Sequence, residues 1–297
     1  MHKQTHKRAF YTLAGCIAAL ALCVAASLFL LTPAPKAQDV TIPGTRGDIY
    51  ATVQLPGKLA RGEELPLVVL CHGFTGSRSG DGHFAPLAAD LAAQGIATVR
   101  LDFPGCGNST EPFTAYTLSN MTDDVESGTG KTALVGHSMG GRLASLYPQR
   151  RGGITALALW SPANGAGLRG MEFLNIDDFS AVEALAAEAE ASGSISTWGV
   201  DVSGTLFTEM RDSDPNAALR ESALPTLLTY TGHEGILSDT TQAETIAAVE
   251  SLPDGRVVLE PFAEGNHNYL SDDTATAAAL DKALRETTVA FLVEYLK

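Results

Sequence analysis

Short apolar runs and longer mixed runs alternate along most of the chain, and their lengths separate strands from helices. Residues 66–71, 96–101, 132–135, 154–160, 224–230 and 256–260 are apolar runs that predict buried strands. Residues 84–94, 141–147, 239–251 and a terminal stretch from about 276 to 296 have helical length and composition, with the second expected to stop at Pro148. Residues 48–55 alternate like an outer strand. Interleaving of this kind predicts an α/β fold with a mostly parallel central sheet covered by helices on both faces.

Two stretches break the rhythm. Residues 163–222 pass without a clear sheet strand and include an alanine- and glutamate-rich helix over 181–191, which predicts a cap inserted over the strand ends. Only residues 117–127 remain for the crossover helix before the 132–135 strand, a length just sufficient to return along a five-residue strand.

Ahead of the folded pattern, Lys3, Lys7 and Arg8 precede an uncharged run over 9–31, long enough to span a bilayer as a helix. Residues 1–37 are therefore read as a signal anchor or signal peptide, and 38–47, rich in proline and glycine with the residues just before them, as a linker to a domain over 48–297. Three fates fit the apolar run: a retained anchor, with basic end inside and domain outside; a cleaved signal, although Pro35-Lys36-Ala37 is a poor cleavage site; or a lipidated Cys16 after Leu13-Ala14-Gly15. All three place the domain outside the cytoplasm, with the N-terminal segment as its sole membrane contact.

The formal net charge is −14, and the residues after position 37 hold 16 basic side chains against 34 acidic ones. An acidic surface of that strength argues against binding nucleic acid or anionic lipid by charge. Cys71 and Cys106 flank loops at the same end of the expected sheet, so buried thiols and a disulfide both remain open.

The chemistry is carried by Gly136-His137-Ser138-Met139-Gly140, between the apolar 132–135 strand and the 141–147 helix. A serine between two glycines at a strand-to-helix turn is the pattern of a nucleophile elbow, in which larger side chains would collide. Serine needs an imidazole to take its proton and an acid to orient that imidazole. Only His233 and His267 follow Ser138, and His267 lies in a polar loop between the last strand and the terminal helix, where it can reach over the elbow. The acid is expected in the loop after the 224–230 strand. Glu234 is the first choice and Asp239 the competitor, although Ser238 or Asp239 also suits a helix N-cap. Backbone N–H groups of Met139 and of Phe74, in the turn His72-Gly73-Phe74, are the candidate oxyanion donors. His72 itself reads as a structural hydrogen-bonder and His233 as a loop residue. No residue cluster has metal-ligand spacing and no glycine-rich dinucleotide loop follows a strand, so no metal or other cofactor is expected.

Together these residues resemble the α/β-hydrolase superfamily, and within it the bacterial cinnamoyl or feruloyl esterases and serine-aminopeptidase-like hydrolases. The likeness rests on His72-Gly73-Phe74-Thr75-Gly76-Ser77, residues 95–109 with Asp102-Phe103-Pro104-Gly105, residues 136–141, Trp160-Ser161-Pro162 and Gly265-Asn266-His267-Asn268-Tyr269, spread over 48–297. Such relatives usually carry aspartate where Glu234 stands here. The resemblance implies hydrolysis of a small-molecule carboxylic ester through an acyl-enzyme by Ser138, His267 and Glu234, with hydroxycinnamoyl or short-chain acyl groups as the substrate class. A peptidase or amidase using the same residues, and a catalytically silent binding protein of the same fold, are the alternative readings. Oligomeric state is not legible.

Overall fold

The computed structural model describes residues 36–44, 46–57, 64–125 and 130–297. The apolar run 9–31, Cys16, Cys23 and the last part of the expected crossover helix lie outside the described residues. Among those described, no helix is long and apolar enough to cross a membrane.

Strands β1 (Ala37–Pro43), β2 (Asp48–Gln54), β3 (Leu67–Cys71), β4 (Ala97–Leu101), β5 (Thr132–His137), β6 (Ala156–Trp160), β9 (Thr226–Thr229) and β11 (Val257–Leu259) form one sheet. Its order is β1-β2-β4-β3-β5-β6-β9-β11; β2 pairs antiparallel with both β1 and β4, and every pairing from β4 onward is parallel. Side chains alternate between two cores, as a period of two requires. Val68, Leu70, Ala133, Val135, Ala156 and Ala158 meet helices α1 (Phe84–Ala93) and α8 (Thr274–Leu296) on one face. Leu67, Val69, Leu134, Leu157 and Leu159 meet α2 (Leu118–Asp124) and α3 (Met139–Arg150) on the other, with α7 (Asp239–Glu250) packed on the same core.

Three expectations change. Residues 38–47 are not a linker: most of them form β1, an edge strand with Gln38, Val40 and Ile42 turned inward along β2. The alternation is there in the sequence, but prolines and Gly44 around it outweigh a signal only half buried. Helix α3 begins directly at the elbow and runs through Pro148 to Arg150, because a missing N–H near a helix end removes one bond without requiring a stop. The crossover helix α2 has just seven residues, started by Thr117 accepting from Asn120 N–H.

Between β6 and β9 the chain builds the expected cap. It comprises a 3₁₀ segment (Gly167–Leu174), helix α4 (Phe179–Ser192), a hairpin of β7 (Ser194–Thr197) and β8 (Val200–Ser203), helix α5 (Gly204–Arg211) and helix α6 (Pro215–Ser222), the last packed on α3.

Candidate active site

Ser138 lies between β5 and α3 with φ 55° and ψ −118°, a conformation L residues rarely adopt. The two glycines make the turn possible. A Cβ on Gly136 would stand 2.3 Å from Gly140 O, and one on Gly140 2.1 Å from Cys71 O. The elbow is therefore pressed against the end of β3, and the chain leaving β3 is the next piece of the site. There a Cβ on Gly73 would lie 3.0 Å from Ser138 Cβ, which puts the Gly73–Phe74 peptide beside the nucleophile candidate. Met139 is the first residue of α3, so its N–H has no acceptor within the helix.

His267 and Glu234 are brought together by a second, small sheet. Strands β10 (Thr231–His233) and β12 (Phe262–Asn266) run parallel with His233 opposite Asn266, so Glu234 and His267, the residues that follow, leave the two strands side by side. Gly232 permits the approach, since a Cβ there would stand 2.1 Å from Ala263 O. Glu234 Oε1 accepts a hydrogen bond from His267 Nδ1. Its Oε2 accepts from Ser161 Oγ at 2.8 Å and from Thr231 Oγ1 at 3.4 Å. Both side chains are buried, and among the described residues His267 Nε2 has no hydrogen-bond partner. Among the described residues Ser138 Oγ makes no hydrogen bond to it.

The imidazole is also held through its backbone. His137, immediately before Ser138, donates from Nε2 to His267 O at 3.0 Å, with the two rings 4.9 Å apart. Burial, with His267 beside it, lowers the His137 pKa to about 3, so the ring stays neutral. Asp239 is exposed on the first turn of α7, with Ser238 as N-cap; it is Glu234 that reaches His267. His233 is exposed, 3.8 Å from Glu264. His72 accepts from Phe103 N–H at Nε2 (3.0 Å) and donates from Nδ1 to Gly73 O (2.7 Å), which shapes the turn before Phe74. Burial lowers its pKa to about 4. Cys71 and Cys106 are buried free thiols, pushed up to about 12 by that burial and so unreactive.

Sequence reasoning assigned no role to Ser161, Tyr269 or His137. Ser161 has φ 40° and binds Glu234; Tyr269 has φ 58° and its hydroxyl donates to Thr229 O at 3.0 Å beneath the same pair. The signal for Ser161 was its place directly after β6, next to the elbow strand in the sheet, while Tyr269 lies in the loop after β12; both become visible once the strand order is known.

Above the site stands a cluster of rings. Phe74 packs edge-on against Phe113 (5.0 Å), Tyr116 (5.6 Å) and, from the cap, Trp198 (6.2 Å), and at a tilt against Phe173 of the cap (5.1 Å). Trp198 forms the hairpin tip with Gly199, both at positive φ, and is 49% exposed. Among the described residues no group of acids, histidines or cysteines could hold a metal ion.

Residues 68–294 match the profile of the Alpha/beta hydrolase family. Comparison with curated protein sequences returns no match. Among solved structures, the chain is similar to Est1E from Butyrivibrio proteoclasticus with ferulic acid bound (TM-score 0.62, 20% identity, covering 85% of this chain and 99% of that one). It is also similar to an esterase from Exiguobacterium antarcticum (0.57, 20%, 87% and 99%) and one from Pyrococcus furiosus (0.58, 15%, 89% and 92%). At these identities the likeness is one of fold.

Proposed function

Because the chain belongs to the alpha/beta hydrolase family, we propose that it is a serine esterase that cleaves carboxylic esters through an acyl-enzyme, with an aromatic acyl group as its preferred substrate. The observation that carries this reading is the Glu234 carboxylate on His267 Nδ1, which leaves a buried Nε2 with no hydrogen-bond partner among the described residues, on a histidine whose backbone is bonded to the residue before Ser138. In the reaction, Nε2 takes the proton of Ser138 Oγ as that oxygen attacks the acyl carbon, and Glu234 stabilises the resulting imidazolium. The Met139 and Phe74 N–H groups receive the negative charge of the tetrahedral intermediate. The imidazolium then protonates the departing alcohol, and water repeats the cycle on the acyl-enzyme.

The aromatic preference rests on the rings around Phe74, which offer edges and faces to an aryl group near the oxyanion donors. The apolar run 9–31 is proposed to hold the enzyme at an extracytoplasmic membrane surface.

A fluorophosphonate probe tests the serine. Labelling of the chain that disappears in Ser138→Ala is expected; unlabelled wild-type protein overturns the hydrolase reading. Aryl esters set against short-chain esters and aminoacyl anilides test the rest. Turnover of the anilides alone would replace esterase by peptidase.

A further inference from the structure

One turn beyond Ser138, helix α3 buries a guanidinium that no carboxylate pairs with among the described residues. Arg142 is fully buried. Its Nη1 donates to Ala163 O (2.9 Å) and Gly165 O (2.7 Å). Its Nη2 lies 2.9–3.3 Å from Gly167 O, Met210 O, Ser213 O and Ser213 Oγ. Burial lowers its pKa to about 9, which leaves it charged at neutral pH.

These acceptors fall into two groups. Residues 163–167 are where the chain leaves the sheet for the cap, and 210–213 are where it returns toward α6. The two are also tied to each other, by Gly167 N–H to Ser213 O at 3.0 Å and by Asn216 Nδ2 to Asn164 O at 3.1 Å. The first stalk touches the site directly: Ala163 N–H donates to Ser138 O at 3.0 Å, and Ser161, two residues earlier, binds Glu234. The 3₁₀ segment comes so close that a Cβ on Gly170 would lie 2.2 Å from Arg142 Nη1.

We propose that Arg142 is a positioning residue that clamps both stalks of the cap to the helix bearing Ser138, so that the lobe over 167–211 stands as a fixed wall of the substrate site. Asp214 acts on the guanidinium only at a distance, with no ion-pair contact among the described residues; burying a charge that way opposes folding, and an apolar side chain of the same length would fill the space at lower cost. What no apolar side chain supplies is a planar fork of donors reaching carbonyls on two separate segments. Lysine does not supply it either, because its ammonium is a compact point charge. The substrate half of the proposal rests on the esterase reading above; the clamp does not.

Arg142→Lys and Arg142→Met in the full chain test it by two readouts. Amide hydrogen exchange over 163–174 and 194–213 is expected to quicken about tenfold or more while the sheet strands keep their protection. With two esters of one alcohol, KM for the aryl-acyl ester is expected to rise about tenfold while kcat for the acetyl ester stays within about threefold. Unchanged exchange in the cap overturns the proposal. So does exchange quickened throughout the domain with both esters losing equally, which is the mark of a merely structural residue. Should neither variant fold, the double variant Ser213→Ala, Asn216→Ala removes one acceptor and one tie between the stalks. It is expected to shift the same readouts by about threefold, and no shift overturns the clamp. Wild-type protein that cleaves neither ester removes the esterase reading and leaves exchange to decide the clamp.

Discussion

One methylene separates Glu234 from the aspartate usual in the chains this one resembles, and its surroundings explain how the longer arm is held. Oε1 takes His267 Nδ1 while Ser161 Oγ, 2.8 Å from Oε2, fixes the other oxygen, so both ends of the carboxylate are occupied. Glu234→Gln keeps the size but offers an amide where the imidazole needs an anion, and kcat is expected to fall by about 10⁴-fold with little change in KM. Steady-state kinetics on an aryl ester would check it. The histidines that shape the site predict a pH effect on stability. His72 and His137 have pKa values lowered by burial to about 4 and about 3, against an ordinary 6.5. Below pH 6.5 the unfolded chain therefore binds protons that the folded one refuses, and stability falls as pH drops from 6.5 toward those values. His72→Gln is expected to flatten part of that acid limb in urea titrations, because a neutral amide has no proton to gain. An acid limb identical to wild type would refute it.

At the scale of elements, two turns hold strain for different reasons. The elbow is strained because backbone meets backbone. Gly140→Ala places a methyl 2.1 Å from Cys71 O, with no flexible side chain to move aside, and is expected to destabilise the domain by about 3 kcal/mol or more, measured by denaturant unfolding. The β7–β8 hairpin is strained by its side chain. A two-residue turn with positive φ at both positions favours Asn-Gly, and this chain carries Trp198-Gly199 with Trp198 at φ 54°. Trp198→Asn is thus expected to relieve about 1 kcal/mol of local strain while losing the ring contacts to Phe74 and Phe173. Hairpin exchange should slow as KM for aryl esters rises and acetyl-ester kinetics stay level. A fall in KM would show that the ring obstructs the site instead of building it.

The sheet of the whole molecule includes residues that composition alone assigns to a linker. β1 covers the outer edge of β2 through seven paired residues, so a chain starting at residue 37 is expected to stay monomeric and folded, whereas one starting at 48 would bare the β2 edge. Size-exclusion chromatography of the two truncations would show aggregation in the shorter one alone. Equal behaviour would return residues 38–47 to the role of linker.

Which parts of this architecture are legible in the sequence follows from how local their causes are. Parallel strands buried on both faces read as apolar runs, and Gly136 and Gly140 announce the elbow because the clash they avoid lies within or next to the same turn. His267 and Glu234 follow from chain order and from loops placed after strands. Ser161, His137 and Arg142 do not, since their work is to touch segments far away in sequence, and a serine or arginine looks the same whether it faces water or a buried carbonyl. β1 is faint for a related reason: an edge strand half exposed to solvent keeps only part of its alternation. The sequence by itself determined the α/β class, the serine, histidine and acid candidates and the existence of a cap. Tertiary structure alone decided which acid meets the histidine, which carbonyls Arg142 reaches and that 37–43 pair with the sheet, because hydrogen bonds between distant segments arise only when strand order and register bring them together.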